Sequence, residues 1–407
     1  MEQKKKVLII TYYWPPSGGA GVQRWLKFAK YLPEFDIEPI ILTVDPKNAS
    51  YTQIDCSLEE EISNGLKVFK TKSFEPLNIL SSLFGKKNVP YGGFSNVNKK
   101  SFFQTVLRFI RGNFFIPDAR IGWNRFAYKK AKEIIIEQNI DTIITTSPPH
   151  STQLVGLKLK RKLGIKWVAD FRDPWTDIYY YEDLLHLPII KRIDKGLERK
   201  VLLNADCIIA NCKSNKDLLR AKLDAGNHYK FYSITNGFDE DDFKFKSKNP
   251  ELFTLTYIGS ISEKYDPEVI FKVLEKIKKE GHSFKFKVVG SIAPPLINQI
   301  KTRGISDNFE FISYLPHKEA IQQMKESSAL LYIFPKTDND KGIAGKLFEY
   351  LASERPILAI GPKNGDSYKV IEESQAGKMF ERDQEYEIYN FLISVIKGTY
   401  KINSQEK

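Results

Sequence analysis

The chain has 407 residues, of which 42% are hydrophobic, so it is long enough for two domains of ordinary size. The formal net charge of +12 favours anionic partners such as nucleotides, acidic lipids or nucleic acid. The odd cysteine count fits a reducing compartment, and the scattered histidines do not predict a zinc site. No apolar run is long enough to cross a bilayer. We therefore expect a cytoplasmic protein, with peripheral attachment to the inner face of the cell membrane left open.

Strand and helix patterns alternate in the first half of the chain, which is typical of α/β layers built on a parallel sheet. A helix is predicted after the first strand, over 22–32, and residues 46–100 give no clear pattern. The predicted strands lie at 7–10, 39–44, 141–146, 166–169 and 207–210.

The second half repeats the alternation after a charged, aperiodic stretch that we interpret as a linker and that ends at Pro250. Its predicted strands lie at 253–258, 284–289, 329–333 and 356–360. We therefore predict an N-terminal Rossmann-like domain at 1–240 and a C-terminal one at 250–384. The C-terminal helix 385–407 is a candidate to pack back on the first domain.

The segment 342–352 carries the most chemical information. At 100° per residue, Leu347, Phe348 and Leu351 share an apolar side of a helix. The opposite side carries two glycines, a cation and a carboxylate: Gly342, Gly345, Lys346 and Glu349. Such a face suits a nucleoside diphosphate, because glycines admit the ligand, a cation meets phosphate and a carboxylate accepts ribose hydroxyls. The alternative is an ordinary amphipathic helix with a solvated lysine and glutamate.

Ligands of open parallel sheets bind beyond the carboxyl ends of the strands, so residues that follow predicted strands are candidates. In the first domain these are Gly18, Gly19, His150, Asp170 and Asp173, and in the second Gly259, Ser260 and Lys264. The first glycine loop has Arg24 where the dinucleotide fingerprint needs its last glycine, and it is not a P-loop. The alternatives are a plain turn for the glycine loop, a capping role for His150, a structural Arg–Asp pair for Asp170 and Asp173, and a solvated side chain for Lys264.

Basic and aromatic residues interleave between Lys99 and Lys132. This stretch is either a patch for an anionic membrane surface or a set of core aromatics with solvated cations. No nucleic-acid-binding module accompanies the charge, so binding to nucleic acid is not expected.

Four segments together resemble the GT-B glycosyltransferases of the large retaining family 4. They are Pro15-Pro16-Ser17-Gly18-Gly19, Asn236-Gly237-Phe238-Asp239, Tyr257-Ile258-Gly259-Ser260 and Gly345-Lys346-Leu347-Phe348-Glu349-Tyr350-Leu351-Ala352. The stretches 145–151 and 170–175 are similar to a bacterial subgroup associated with cell-surface polysaccharides. The resemblance covers nearly the whole chain and implies two Rossmann-like, doubly wound α/β domains facing across a cleft.

The resemblance also implies a function: transfer of a sugar, with retention, from a nucleotide-sugar donor to a glycan or lipid-linked acceptor, without a metal or other cofactor. Glu349 would bind the ribose. Gly259, Ser260, Lys264, Gly345 and Lys346 would lie near the diphosphate, with Gly18 and Gly19 across the cleft. Asp170, Asp173 and His150 would serve the acceptor; of the two aspartates we prefer Asp170, which comes first after its strand.

The chain departs from the family pattern in one important position. The first glutamate of the family's paired motif lies eight residues before the second, and here Lys341 occupies that place. The usual contact with the donor sugar is therefore in question. Two alternatives remain open: a nucleotide-sugar epimerase, which needs no acceptor, and a non-catalytic protein that binds nucleotides or anionic polymers.

Overall fold

The computed structural model describes residues 4–75, 102–336 and 342–402, and Lys341 lies outside these ranges. The chain divides into two compact units, Met1–Thr235 and Asn236–Lys407. The division falls at the beginning of the predicted linker. Lys325 Nζ, in the second unit, donates to the carbonyls of Phe243 (2.7 Å) and Phe245 (2.6 Å), so the linker is held by the second unit.

The first unit is a parallel sheet with strand order β3-β2-β1-β4-β5-β6-β7. Its strands are β1 (Lys5–Ile10), β2 (Ile37–Val44), β3 (Lys67–Thr71), β4 (Thr142–Ser147), β5 (Lys166–Phe171), β6 (Cys207–Ala210) and β7 (Phe231–Ser233). The described helices are α1 (Ala20–Tyr31), α2 (Phe102–Phe114), α3 (Asn124–Glu137), α4 (Ser151–Leu163), α5 (Pro188–Asn204) and α6 (Lys213–Arg220). The winding reverses between β1 and β4.

Both faces of this sheet are covered, which explains the continuous apolar runs of its strands. Leu8 and Ile10 of β1 lie in one core cluster together with Ala127 of α3. Val7 and Ile9 point to the opposite face, into the cluster that contains residues of α1. Successive side chains of β1 therefore pack into the two core clusters on opposite faces of the sheet.

The second unit is also a parallel sheet, with strand order β10-β9-β8-β11-β12-β13. Its strands are β8 (Thr254–Ile261), β9 (Lys285–Ile292), β10 (Phe309–Ile312), β11 (Ala329–Ile333), β12 (Ile357–Ile360) and β13 (Gly377–Phe380). Its described helices are α7 (Glu268–Lys279), α8 (Pro294–Thr302), α9 (His317–Lys325), α10 (Lys346–Ala352), α11 (Asp366–Ser374) and α12 (Glu385–Ile396). The predicted class, two doubly wound α/β domains, is confirmed.

The last helix, α12, belongs to the core of the second unit. Ile388, Phe391 and Leu392 are buried in the same cluster as β8 and β9 residues. The ring of Phe391 meets that of Phe380 edge-on at 5.8 Å. Because the apolar stripe of α12 is used here, the structure places this helix in the second unit, whereas the sequence suggested a return to the first.

Two strands extend past the ends that their apolar patterns predict. Asp170 lies inside β5, paired with Ile209 of β6, and is not a residue that follows the strand. Gly259 and Ser260 lie inside β8, where Gly259 pairs with Gly290. Hydrophobicity stops before the backbone ladder does, because the ladder needs only amide and carbonyl groups.

Candidate functional site

The winding of the second unit reverses between β8 and β11, which are neighbours in the sheet. Chain segments leave these two strands toward opposite sides, so a crevice forms at their carboxyl ends. The candidate donor residues of the second unit lie on the strands and connections at this end of the sheet. The sequence predicted only that ligands bind beyond the carboxyl ends of the strands. The side-chain contacts at this crevice are seen only in the tertiary structure.

Two paired glycines form the carboxyl ends of β8 and β9. Gly259 and Gly290 have φ angles of +124° and +129°, a region that side-chain-bearing residues rarely adopt. A Cβ atom on Gly290 would lie 2.2 Å from the carbonyl oxygen of Gly259. Beyond them, the hydroxyl groups of Ser291 and Ser260 lie 2.8 Å apart. The strand ends therefore present bare backbone and hydroxyl groups, which can approach an anion closely.

Glu349 of α10 lies beside a histidine. The Nε2 atom of His317 lies 2.9 Å from the carboxylate oxygen Oε1, and the side chains are 12% and 20% exposed, respectively. His317 is the first residue of α9, in the connection that follows β10. Within the described residues only Oε1 of Glu349 is hydrogen-bonded, so Oε2 is left for another donor. A partly accessible carboxylate with one oxygen engaged suits a ligand hydroxyl.

His317 is a site residue that the sequence analysis missed. The signal that could have identified it is its position after a strand, but β10 is four residues long and was not predicted. Its contact with Glu349 joins two elements 32 residues apart in the chain.

Lys346 lies beneath the end of β8. Its ammonium group donates to the carbonyl of Ile258 at 3.1 Å and sits 3.8 Å from the ring centroid of Tyr257. Burial lowers the pKa of Lys346 to about 7, opposed by the negative charge of Glu349. A Cβ atom on Gly259 would come within 3.6 Å of this ammonium group. The structure thus brings Gly259, Lys346 and Glu349 together, and their role in donor binding stays a prediction.

Helix α10 begins at Lys346, so Gly342 and Gly345 precede it and do not continue its face. The segment before the helix is fixed by the backbone amide of Ala344, which donates to the hydroxyl of Tyr332 at 2.9 Å. The buried side of α10 also differs from the prediction. Tyr350 is buried there. Its hydroxyl accepts a hydrogen bond from the amide of Ile258 at 2.9 Å, which satisfies the polar end of the buried side chain.

Lys264 was predicted beside a helix start. It lies instead in the single 3₁₀ turn Glu263–Tyr265 that follows β8, while α7 begins at Glu268. The turn and its C-cap residue, Asp266, separate β8 from α7, so Lys264 does not lie in the first turn of the helix. Its predicted contact with phosphate stays a prediction.

Asp170, in the first unit, is closed off from solvent. Its carboxylate accepts from Arg24 (3.0 Å), Trp25 (2.8 Å) and Thr146 (2.7 Å), and the side chain is fully buried. A fully buried carboxylate that is already bonded by three donors presents no surface to an acceptor. The geometry therefore gives Asp170 the structural pairing that the sequence analysis kept as its alternative, with Arg24, the residue that breaks the dinucleotide fingerprint, as its partner.

His150 and Asp173 have different surroundings. The His150 ring stacks on Trp175 at 5.2 Å, and neither ring nitrogen has a hydrogen-bond partner in the described residues. Burial, together with Arg172 and Lys222, lowers the pKa of His150 to about 3, so the ring is neutral near pH 7. Burial raises the pKa of the half-buried Asp173, opposed by Arg172.

The opening glycine loop is folded against the segment that follows β2. The amide of Gly18 donates to the carbonyl of Gln53 at 3.0 Å, and Gly19, with φ +88°, immediately precedes α1. The Arg172 guanidinium donates to the carbonyl of Gly21 and so joins the first turn of α1, directly after this loop, to the end of β5. A donor-binding role for Gly18 and Gly19 stays a prediction.

Two family models match the chain side by side. Residues 93–242 match the model described as Glycosyltransferase Family 4, and residues 238–401 match that of Glycosyl transferases group 1. The chain is a GT-B glycosyltransferase. A search of curated protein sequences found no match.

Solved structures similar to this glycosyltransferase share its fold at low identity. Anabaena Alr3699/HepE in complex with UDP is 13% identical, with a TM-score of 0.60 and coverage of 98% of this chain and 91% of that one. TarM is 11% identical, with a TM-score of 0.62 and coverage of 97% and 92%. Sucrose-phosphate synthase from Thermosynechococcus elongatus is 11% identical, with a TM-score of 0.60 and coverage of 97% and 90%.

Other predictions about the glycosyltransferase concern its surface. In the described ranges, no helix combines the length and apolarity needed to span a membrane. The basic–aromatic stretch divides: Trp123 and Arg108 are buried, whereas Phe109 and Phe114 are exposed. Part of the stretch therefore belongs to the core, and its contact with an anionic membrane stays a prediction.

Proposed function

We propose that this glycosyltransferase moves a hexose, with retention, from a nucleotide-sugar donor to a glycan or lipid-linked acceptor in cell-surface polysaccharide biosynthesis. The observation that carries the donor assignment is the convergence of Glu349, His317 and Lys346 at the carboxyl end of β8. Among proteins of similar fold, Alr3699/HepE is described in complex with UDP and glucose. A mutant of S. aureus TarM is described in complex with UDP and alpha-GlcNAc-glycerol. We therefore place UDP-sugars first among the donors.

The donor would bind with its ribose at Glu349 and its diphosphate at the end of β8. The Oε2 atom of Glu349 accepts a hydrogen bond from a ribose hydroxyl, while the contact of His317 with Oε1 fixes the position of the carboxylate. The diphosphate lies against the bare backbone at Gly259, where the Lys346 ammonium group is within reach of its charge. Once the bound diphosphate holds Lys346 in its ammonium form, that positive charge stabilises the diphosphate as it departs. The proposal uses no metal, and transfer is expected to survive a chelator.

On the acceptor side, the proposal assigns His150 and Asp173 in place of Asp170. Transfer breaks the bond between the anomeric carbon and the diphosphate, which leaves with the electron pair, and joins that carbon to the oxygen of an acceptor hydroxyl, whose proton passes to a base or to the departing diphosphate. Asp170 is fully buried, and three donors of the first unit already occupy both of its carboxylate oxygens. The neutral His150 can accept a hydrogen bond from that hydroxyl, but its low pKa makes it a weak base, so the Asp173 carboxylate is the better acceptor of the proton.

The test of the donor site is nucleotide-induced thermal stabilisation across a panel of nucleoside diphosphates and their sugars. Glu349→Ala should weaken binding of the stabilising nucleotide by roughly tenfold to a hundredfold, because hydrogen bonds to a charged group are lost. The matched control is Glu373→Ala, an exposed glutamate on α11, which should bind like the unmodified protein. Equal binding by the Glu349 and Glu373 variants would contradict the assignment.

The epimerase alternative has one observation in its favour. A putative UDP-N-acetylglucosamine 2-epimerase from Listeria monocytogenes has a similar fold, with a TM-score of 0.54 and 12% identity. An epimerase converts its nucleotide sugar in the absence of any acceptor, whereas the transferase releases nucleotide in proportion to glycosylated acceptor. Binding of the nucleotide with neither reaction would favour the non-catalytic alternative.

A further inference from the structure

Helix α5 has its charges and apolar residues in unusual places. Its two acidic residues in the middle of the helix, Asp194 and Glu198, are buried. Asp194 accepts from Trp175 Nε1 and Tyr181 Oη, both at 2.9 Å, and Glu198 is likewise satisfied inside the unit. Ile189 and Ile193, one turn apart, are 56% and 46% exposed. A helix of a soluble domain normally has the opposite arrangement.

Further exposed apolar side chains lie on α2 and on the segment before α5. The side chain of Asn113 in α2 donates to the carbonyl of Leu185 (3.1 Å) and accepts from the amide of Leu187 (2.7 Å), which holds the end of α2 against the segment before α5. We call the resulting surface the α2–α5 face. Its exposed apolar side chains are Val106, Phe109, Phe114, Leu185, Leu187, Ile189 and Ile193.

Scattered exposed apolar residues are ordinary, but a cluster of this kind marks an interaction surface. Phe114 is 73% exposed at the end of α2. The exposed apolar residues come from two helices and the segment before α5, so the irregular amphipathicity of a single helix does not explain them.

Cations interleave with these apolar side chains. Arg192, Lys195 and Lys200 are exposed on α5, and in the described part of the chain none of them forms an ion pair. The acidic residues of α5 face inward, so they do not neutralise this charge at the surface. The α2–α5 face is therefore apolar and positively charged at the same time.

We propose that the α2–α5 face docks the protein on an anionic lipid bilayer. The apolar side chains enter the headgroup region, and Arg192, Lys195 and Lys200 lie near lipid phosphates. The charge decides between occupants. A second copy would bring like charges together, and a nucleic acid would contact the cations but leave the isoleucines and phenylalanines in water. The proposal concerns the first unit only and does not depend on the proposed donor site.

The experiment is sedimentation of the full chain with vesicles of phosphatidylglycerol and phosphatidylcholine, compared with vesicles of phosphatidylcholine alone. The unmodified protein should bind the anionic vesicles, and binding should weaken with added salt. The variant Arg192→Gln/Lys200→Gln should lose about fivefold in partitioning for each cation removed. The variant Ile189→Ser/Ile193→Ser should lose roughly tenfold or more.

Matched controls carry the same changes elsewhere on the first unit. Ile136→Ser removes an isoleucine that is 65% exposed, and Arg125→Gln/Lys129→Gln removes two exposed cations of α3. Both should sediment like the unmodified protein. The proposal is overturned if the unmodified protein ignores anionic vesicles, or if α5 variants and controls bind alike. It is also overturned if the α5 changes abolish a dimer or binding to nucleic acid while vesicle binding is unaffected.

Discussion

Among single residues, the buried Arg24–Asp170 pair is the clearest case in which environment decides a role. A carboxylate in a sequence of alternating charge resembles a catalytic residue, yet here it holds α1 on β5. Arg24 also donates to the carbonyls of Ile234 and Thr235, both at 3.0 Å, at the end of the first unit. The pair therefore ties three separate parts of that unit together.

Asp170→Asn should lower the free energy of unfolding by about 3–5 kcal/mol, since removing one charge of a buried pair leaves the other uncompensated. Denaturant titration measures the loss. The control is Glu38→Gln, which breaks the exposed pair with Lys67 and should cost less than about 1 kcal/mol. Equal stability of the two variants would contradict the assignment of a structural role to Asp170.

Lys346 makes nucleotide binding depend on pH. Burial lowers its pKa to about 7, so above that pH most of the free protein carries a neutral amine here. A bound diphosphate favours the ammonium form, and binding must then take up a proton. Affinity should fall by up to about tenfold per pH unit as pH rises above 7. Calorimetry in buffers of different ionisation enthalpy should detect proton uptake near pH 8, and Lys346→Met should abolish it; uptake unchanged in that variant would refute the assignment.

Among helices and strands, packing depends on residues whose importance the sequence does not reveal. Gly156 in α4 faces Trp167 of β5, and a Cβ atom there would lie 2.3 Å from the indole nitrogen. That indole nitrogen donates to Thr145 at 2.7 Å, so the ring is held in position. By contrast, nothing lies within 4 Å of a Cβ atom added to Gly196 in α5.

The same substitution should therefore have opposite effects in these two helices. Gly156→Ala is expected to destabilise the protein by about 1–3 kcal/mol through overpacking. Gly196→Ala should stabilise it by about 0.5–1 kcal/mol, because alanine has the better helix propensity. Thermal or denaturant unfolding of both variants gives the comparison. Destabilisation by Gly196→Ala, or none by Gly156→Ala, would contradict the packing described.

The elements themselves were predicted well where hydrophobic periodicity is strong. Predicted strands at 207–210 and 329–333 match β6 and β11, and the helix predicted over 22–32 corresponds to α1. Predictions failed where pairing outlasts apolar character, at Asp170 and Gly259, and where an element is short, as at β10. In each failure the deciding interaction is with a distant strand.

In the molecule as a whole, the two units have separate cores. The core cluster of the second unit draws all its residues from positions 253–400, including those of α12. A unit with its own core is expected to fold alone. The candidate donor residues Gly259, His317, Lys346 and Glu349 all belong to this unit.

We therefore expect residues 236–407, expressed alone, to fold cooperatively and to be stabilised by the same nucleotides as the full chain. Circular dichroism and thermal unfolding test the two parts of this prediction. The Glu349→Ala version of the fragment serves as the control and should lose the nucleotide effect. A folded fragment that ignores nucleotides would place essential donor contacts outside the second unit.

The fold class, the two-domain plan and the glycosyltransferase family could all be read from the amino-acid order, because they follow from local periodicity and from short motifs in a fixed succession. The prediction of Lys346 and Glu349 as donor-site candidates was made in the same way, through their spacing on one segment. The burial of Asp170 among Arg24, Trp25 and Thr146, and the contact of His317 with Glu349, emerged only once the chain was folded. Whether a charged side chain is buried or available depends on which distant donors reach it, and local sequence does not encode that.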